Sequence, residues 1–282
     1  MFQNVEKQNL SMSDYQGLNA LSRSGVCDLL KSFNSYAWNK ANPKERTAAM
    51  KLGSAIHDYV LERDTFGQRY AVAPVCDRRT KEGKAIYEEF LSKSEGLESL
   101  STDDFNVCAE IGKACENHPV AHKLLKSKDR EISLVGEYVI DGEIIAVKCR
   151  FDLLLTIDGL SYACDLKSCQ SAILDDFSKD ITNMNYHVQA AFYLDMLNAY
   201  LYKNNREPAQ SFMFIAAEKS GPFEVAVYDI DQASIELGRE LYKKGIKNLV
   251  DSVKKDKFRG LSNEIKSIGV KTWAFYKNDE LI

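Results

Sequence analysis

Two Asp-Gly pairs, Asp141-Gly142 and Asp158-Gly159, punctuate the stretch from Ser133 to Ser168. Asp-Gly suits the two-residue hairpin turn, whose central positions need a positive φ. The residues on either side alternate apolar and polar with the period of a strand. The spacing therefore predicts a three-stranded antiparallel meander: Ser133–Ile140, Glu143–Thr156 and Leu160–Ser168. On the second strand Ile145, Val147, Cys149, Phe151 and Leu153 share one face, and Lys148, Arg150 and Asp152 share the other. On the third, Tyr162, Cys164 and Leu166 oppose Asp165 and Lys167. Pairing of the two strands brings Asp152 and Asp165 together on one side of the sheet, with Lys167 one step along.

Two carboxylates held close repel each other unless a cation sits between them. Hard oxygen ligands favour Mg²⁺, with Mn²⁺ as a substitute. A cation bound there polarises a phosphate oxygen and acidifies a water. Lys167 is placed to orient that water or to neutralise charge gathering at phosphorus. Glu137 on the first strand is a further acid in reach. The competing reading leaves Asp152 and Asp165 as solvent-facing acids with Lys167 paired to one of them.

Around this meander the period is helical. Ser13-Asp14-Tyr15 is a cap region for a first helical stretch carrying Leu18, Leu21, Val26, Leu29, Leu30 and Phe33. Further helices are expected over Ala48–Glu62, Thr80–Lys93 and Asp103–Leu125, the last broken near Pro119. After the meander come helices over Ala172–Ile181 and Asn185–Asn204, and a strand over Ser211–Glu218. Gly221-Pro222 then turns into a strand over Phe223–Tyr228, and a long helix covers Asp231–Lys255. This order predicts one α/β domain over 1–282, with a mixed central sheet flanked by helices and an N-terminal helical elaboration. Residues 1–130 are its mainly helical part, 131–230 the core sheet, and 231–282 a C-terminal helix and basic tail.

A formal charge of −4 sets aside the strongly basic balance common in DNA-binding proteins. Contact with phosphates must then come from a local patch. Arg78, Arg79, Lys81 and Lys84 crowd one such run, and Lys243–Lys271 holds nine Lys/Arg against three acids. Both also fit the description of a solvated face. The seven cysteines include no CxxC pair, which fits reduced thiols in a cytoplasm. No 18-residue apolar run is present and the first residues lack an apolar leader, so neither a membrane span nor a secretory signal is expected. No Walker A pattern exists for a motor.

An acid followed across a turn by Asp-x-Lys resembles the PD-(D/E)xK nuclease motif. Two more elements sharpen the likeness: Gly53-Ser54-Ala55-Ile56-His57-Asp58-Tyr59-Val60-Leu61-Glu62 upstream, and Gln189-Ala190-Ala191-Phe192-Tyr193 downstream. His, Asp, Asp-x-Lys and Q-x-x-x-Y in that order resemble the RecB-type branch. Within it the chain looks most like the phage and prophage RecE-type exonucleases (exodeoxyribonuclease VIII), over roughly residues 45–230. The resemblance implies a PD-(D/E)xK core with His57, Asp152 and Asp165 as metal ligands and the Leu166 carbonyl as a fourth. It implies Lys167 as the catalytic lysine, and Gln189 and Tyr193 as the pair that holds DNA or supports the site. Arg78, Arg79, Lys81, Lys84 and Arg150 are the candidate DNA contacts. Some RecB-type nucleases carry an iron–sulfur cluster with thiolates after the Q-x-x-x-Y helix. No cysteine follows Cys169, so that layout is not expected here.

For function, the resemblance implies a Mg²⁺-dependent exonuclease that digests double-stranded DNA ends 5′ to 3′ in a bacterial host's cytoplasm. The 3′ single-stranded tail would pass to a single-strand annealing recombinase, and the enzyme would be a ring-shaped homo-oligomer. A repair- or restriction-type endonuclease, and a non-catalytic DNA-binding protein on the same fold, remain the alternatives.

Overall fold

A computed structural model describes residues 1–43, 45–254, 260–262 and 264–270. Six strands form the central sheet: β1 (Phe2–Gln8), β4 (Asp129–Ile140), β5 (Glu143–Ile157), β6 (Leu160–Cys169), β7 (Ser211–Glu218) and β8 (Val225–Asp229). They lie in the order β1-β4-β5-β6-β7-β8. All neighbours are antiparallel except β6 and β7, which run parallel. A parallel pair needs a long crossover. Here α9 (Leu174–Asn183) and α10 (Tyr186–Lys203) supply it.

The helical first half holds α1 (Met12–Gly17), α2 (Arg23–Lys31), α3 (Phe33–Ala41), α4 (Ala48–Leu61) and α5 (Arg63–Phe66). It continues with α6 (Lys81–Lys93), α7 (Thr102–Asn117) and α8 (Ala121–Leu124), and α11 (Gln232–Lys254) closes the fold. Two short strands, β2 (Tyr70–Val72) and β3 (Glu98–Leu100), form a small parallel sheet that the period does not reveal. Nor does it reveal β1. That strand pairs with β4 through an irregular register with Asn4 at φ 52°, and it sends Phe2 between Tyr138, Phe192 and Tyr242. The expected helical stretch through Leu18–Phe33 is interrupted twice: residues 18–22 are not helical and Leu21 bridges β5, and α2 is parted from α3 at Ser32, which is extended and caps α3. The expected break near Pro119 falls between α7 and α8. Lys255 and parts of the basic stretch Lys243–Lys271 lie outside the described residues.

Both faces of the sheet are covered. On one, Val147, Cys149, Phe151 and Phe214 pack with Val26 and Leu29 of α2, Val188 and Phe192 of α10, and Ile246 of α11. On the other, Leu153, Leu155, Leu166 and Ile215 pack with Ile56 of α4 and Ile111 and Cys115 of α7. The expected single face of β5 therefore changes side at Asp152: Phe151 belongs to the first core and Leu153 to the second. Glu131, placed opposite Asp152 by the flanking rungs Arg130↔Leu153 and Ile132↔Phe151, has φ 54°. A left-handed residue inside a strand reorients the chain locally.

β5 and β6 pair only from Leu153↔Cys164 to Ile157↔Leu160. Beyond that rung β5 stays with β4 and β6 stays with β7, so the sheet forks at Asp152 and Asp165. The freed edge of β5 is taken by Leu21. Its N–H donates to the Ala146 carbonyl at 2.8 Å, and its carbonyl accepts from the Lys148 N–H at 3.0 Å. Among the described residues no helix is long and apolar enough to cross a membrane.

Candidate active site

The fork supplies polar backbone that the ladder does not use. The Leu166 N–H donates to Asp152 Oδ2 at 2.7 Å. His57 reaches the same carboxylate from α4, with Nε2 at 2.8 Å from Asp152 Oδ2. Ile56 is buried against the sheet and fixes the rotation of α4 that lets His57 reach β5. The other ring nitrogen, Nδ1, lies 3.3 Å from Glu131 Oε1. Asp165 is engaged from the opposite layer. Its Oδ2 is 2.5 Å from Lys167 Nζ, and its Oδ1 accepts from the Gln189 amide of α10. Gln189 Oε1 accepts from the Lys167 ammonium at 3.1 Å. One glutamine thus holds both the acid and the lysine of the Asp-x-Lys tripeptide.

Burial and crowding set the charges. Burial raises the Asp165 carboxyl, and the neighbouring Asp152 charge adds to the effect. Asp152 is lowered despite its burial, because His57 and Lys167 stand beside it. Burial and the Asp152 charge push Glu131 up to about 7. Burial alone would lower His57, but Asp152, Glu131 and Asp165 carry its imidazole up to about 9. Two of the three acids crowded here, Glu131 and Asp165, hold protons more tightly than they would in water.

That crowding fits a cation. Among the described residues His57, Glu131 and Asp152 offer ligand atoms within 4.8 Å of one another. Glu131 Oε1 and Asp165 Oδ2 are buried oxygens without a hydrogen bond of good geometry. Imidazole with carboxylate oxygens is a donor set suited to a divalent first-row or alkaline-earth ion. Of the expected ligands, His57 and Asp152 are in this group. Asp165 stands beside it, facing Lys167, and Leu166 lines the cleft. Glu131 was not anticipated. The first strand was expected to begin at Ser133, four residues after the start of β4 at Asp129, which left Glu131 outside it. Extending the hairpin register back from Asp141-Gly142 would have placed Glu131 opposite Asp152. Glu137, the acid considered there, is opposite Ala146 and accepts from Asn4 of β1 at 2.7 Å at an exposed position.

The site floors an open cleft of about 1420 Å³. Tyr193 lines it and packs edge-on to Phe151, centroids 5.1 Å apart. Tyr186 lies with Lys167 Nζ 4.6 Å from its ring centre, a cation–π distance. Four arginines that spacing did not single out also line the cleft: Arg23, Arg46, Arg69 and Arg130. Arg46 pairs with Glu98, and Arg69 with Asp58 and Glu62. Arg23 donates to the carbonyls of Met184 and Asn185.

The expected DNA contacts are divided. Arg150 lines the cleft but turns its Nε and Nη1 to protein: Glu131 Oε2 at 2.5 Å, the Leu10 carbonyl at 2.7 Å and Ser133 Oγ at 3.3 Å. Arg78, Arg79, Lys81 and Lys84 are exposed at the start of α6 and are not part of the cleft lining. Arg79 pairs with Asp77 at 3.0 Å, and Arg78 stacks over Tyr87 at 4.7 Å. That turn has a fixed shape. Thr80 caps α6, and a Cβ on Gly83 would come within 2.1 Å of the Asp77 carbonyl oxygen.

Comparison with known proteins agrees with this architecture. The family model for a PDDEXK-like domain of unknown function, DUF3799, matches residues 22–268. No curated protein matches the sequence. Among solved structures, the chain is similar to the "Putative exonuclease" of Eubacterium rectale at TM-score 0.60 and 16% identity, covering 95% of this chain and 98% of that one. Two others are more distant: SSO0001 (TM-score 0.35, 15% identity, 81% and 76% of the chains) and VC1899 of Vibrio cholerae (TM-score 0.24, 9%, 89% and 58%). Those two scores are too low to support an argument.

Proposed function

The chain belongs to the PDDEXK-like family, and on that premise we propose that it is a Mg²⁺-dependent exodeoxyribonuclease acting on the ends of linear double-stranded DNA. The observation that carries this reading is the fork: buried Asp152 and Asp165 beside a half-buried Lys167 at an open cleft, with His57 and Glu131 closing the acid cluster. Strand polarity of 5′ to 3′ and delivery of a 3′ tail to a single-strand annealing protein in a bacterial host rest on the likeness to RecE-type enzymes. So do a ring-shaped oligomer and Mn²⁺ as a working substitute.

His57, Glu131, Asp152 and Asp165 would hold the cation. Bound there, it supplies Lewis-acid stabilisation of the phosphate and a more acidic water. The chain's own residues do the rest. Asp165 and Gln189 fix the Lys167 ammonium, and Tyr186 lies against it. Lys167 would then meet the negative charge that gathers on the phosphoryl oxygens as water attacks in line. Asp152 and Glu131 keep His57 in one orientation. Tyr193 and Arg23 stand in the lining where a strand would pass. The basic turn of Arg78, Arg79, Lys81 and Lys84 would hold backbone phosphate outside the cleft.

The test follows linear duplex labelled at its 5′ or its 3′ end, with Mg²⁺ and with EDTA, for the protein and for Asp165→Ala. Early Mg²⁺-dependent loss of the 5′ label, absent in the variant and on covalently closed circles, is the expected result. Cutting of closed circles would make it an endonuclease. Absence of any Mg²⁺- or Mn²⁺-dependent cleavage would leave a non-catalytic DNA-binding protein.

A further inference from the structure

We propose that Arg150 is a positioning residue of the cation site, which aims Glu131 at the cation and ties it to the N-terminal wall of the cleft, rather than a DNA contact. This rests on the reading that His57, Glu131 and Asp152 hold a divalent cation. Lys148, Arg150 and Asp152 occur at every second position of β5. The register sets Arg150 opposite Ser133, next but one to Glu131 on β4. Its side chain is 11% exposed and that of Glu131 8%. A buried charge of this kind is costly unless it is partnered, and Arg150 has partners: its Nε bonds Glu131, and its Nη1 bonds the Leu10 carbonyl and Ser133.

The consequence lies in which oxygen Arg150 takes. It binds Oε2 of Glu131 at 2.5 Å, and so leaves Oε1 facing His57 with no hydrogen bond of its own. The rigid fork of a guanidinium sets direction as well as charge. The bond to Leu10 adds a second tie. Residues Asn9–Met12, Tyr15 and Gln16 line the cleft, and Lys148, two positions before Arg150, binds the carbonyls of Tyr15, Gln16 and Leu18 at 2.7, 3.3 and 2.9 Å. The two cations of β5 therefore hold the N-terminal segment against the cation site.

The test is Mn²⁺ binding to the DNA-free protein by calorimetry, for the parent, Arg150→Gln, Arg150→Lys, Glu131→Gln and the Arg150→Gln/Glu131→Gln double variant. Residues that orient a metal ligand are worth about 10- to 100-fold in affinity. Arg150→Gln should weaken Mn²⁺ binding within that range, and Arg150→Lys by less. The double variant should bind no more weakly than Glu131→Gln alone, because Arg150 acts through Glu131. If Arg150→Gln does not fold, as judged by circular dichroism, Arg150→Lys against Glu131→Gln carries the same comparison. Unchanged Mn²⁺ affinity, or losses that simply add, overturns the proposal. If Mn²⁺ affinity holds while DNA binding weakens and its salt dependence falls, Arg150 is a DNA contact after all. A parent that binds no Mn²⁺ sinks the cation reading itself, before any question about Arg150.

Discussion

At the scale of single residues, the site is governed by protons that a bound cation would displace. His57 is raised from 6.5 to about 9, so the stability it contributes is full below 6.5 and is lost as pH rises through 9. Glu131 is raised from 4.5 to about 7, so its share is full below 4.5 and is lost through 7. Both slopes have the same sign. The cation-free protein should therefore melt at progressively lower temperature as pH climbs from the Glu131 range to the His57 range. Mg²⁺ or Mn²⁺ should raise the melting temperature more at the alkaline end, since binding releases protons. Thermal scans with and without cation check this, and a melting temperature flat across that window contradicts it. Lys167 makes a separate prediction. Lys167→Met keeps the buried volume and removes the ammonium beside Asp165. It should cut DNA cleavage by about 100- to 1,000-fold in single-turnover assays, the typical cost of one charge-stabilising donor.

Elements meet closely where small residues allow it. A Cβ on Gly238 of α11 would fall 2.2 Å from the His187 carbonyl oxygen of α10, a contact with backbone that cannot rotate away. Gly238→Ala must push α11 off the helix that carries Gln189. It should cost about 1–3 kcal/mol in urea unfolding and lower cleavage together with stability. Gly17→Ala, where nothing lies within 4 Å, should leave stability unchanged within about 0.5 kcal/mol. The same α10 shows why some elements were easy to read and others not. Its apolar residues, from Val188 to Leu201, make a long helix the only sensible outcome, and the bounds Tyr186–Lys203 fall within a residue of expectation. The spacing of Leu21, Val26, Leu29 and Phe33 reads as one helical stretch, whereas Leu21 serves the free edge of β5 ahead of α2 and an extended Ser32 parts α2 from α3. β1 was missed because Gln3, Asn4, Glu6 and Lys7 give it no apolar alternation. It is held by Phe2 and Val5 packing on residues far away in sequence.

Across the whole molecule, the sheet is only as closed as its borrowed parts. Phe2 sits edge-on to Tyr138 and Phe192, centroids 4.8 and 5.2 Å away. Phe2→Ala should cost about 3 kcal/mol by thermal or urea unfolding. Deleting residues 1–8 should go further and expose the outer edge of β4 to intermolecular pairing, seen as concentration-dependent association. A deletion variant as stable and monodisperse as the parent would show β1 to be dispensable. The sequence by itself determined the meander. Asp141-Gly142 and Asp158-Gly159 set the turns, turns set register, and register set which residues stand opposite Asp152 and beside Asp165. That information is local, carried by neighbours in the chain and by the two-residue repeat of a strand. Only the tertiary structure decided that β5 and β6 part after Leu153↔Cys164, and that the β5 face changes side at Asp152. It also decided that Arg150 turns to Glu131 instead of outward. These outcomes follow from Leu21, α4, α10 and the N-terminal segment competing for the same strand edges and buried charges. Contacts between residues so far apart in the chain leave no period for the sequence to display.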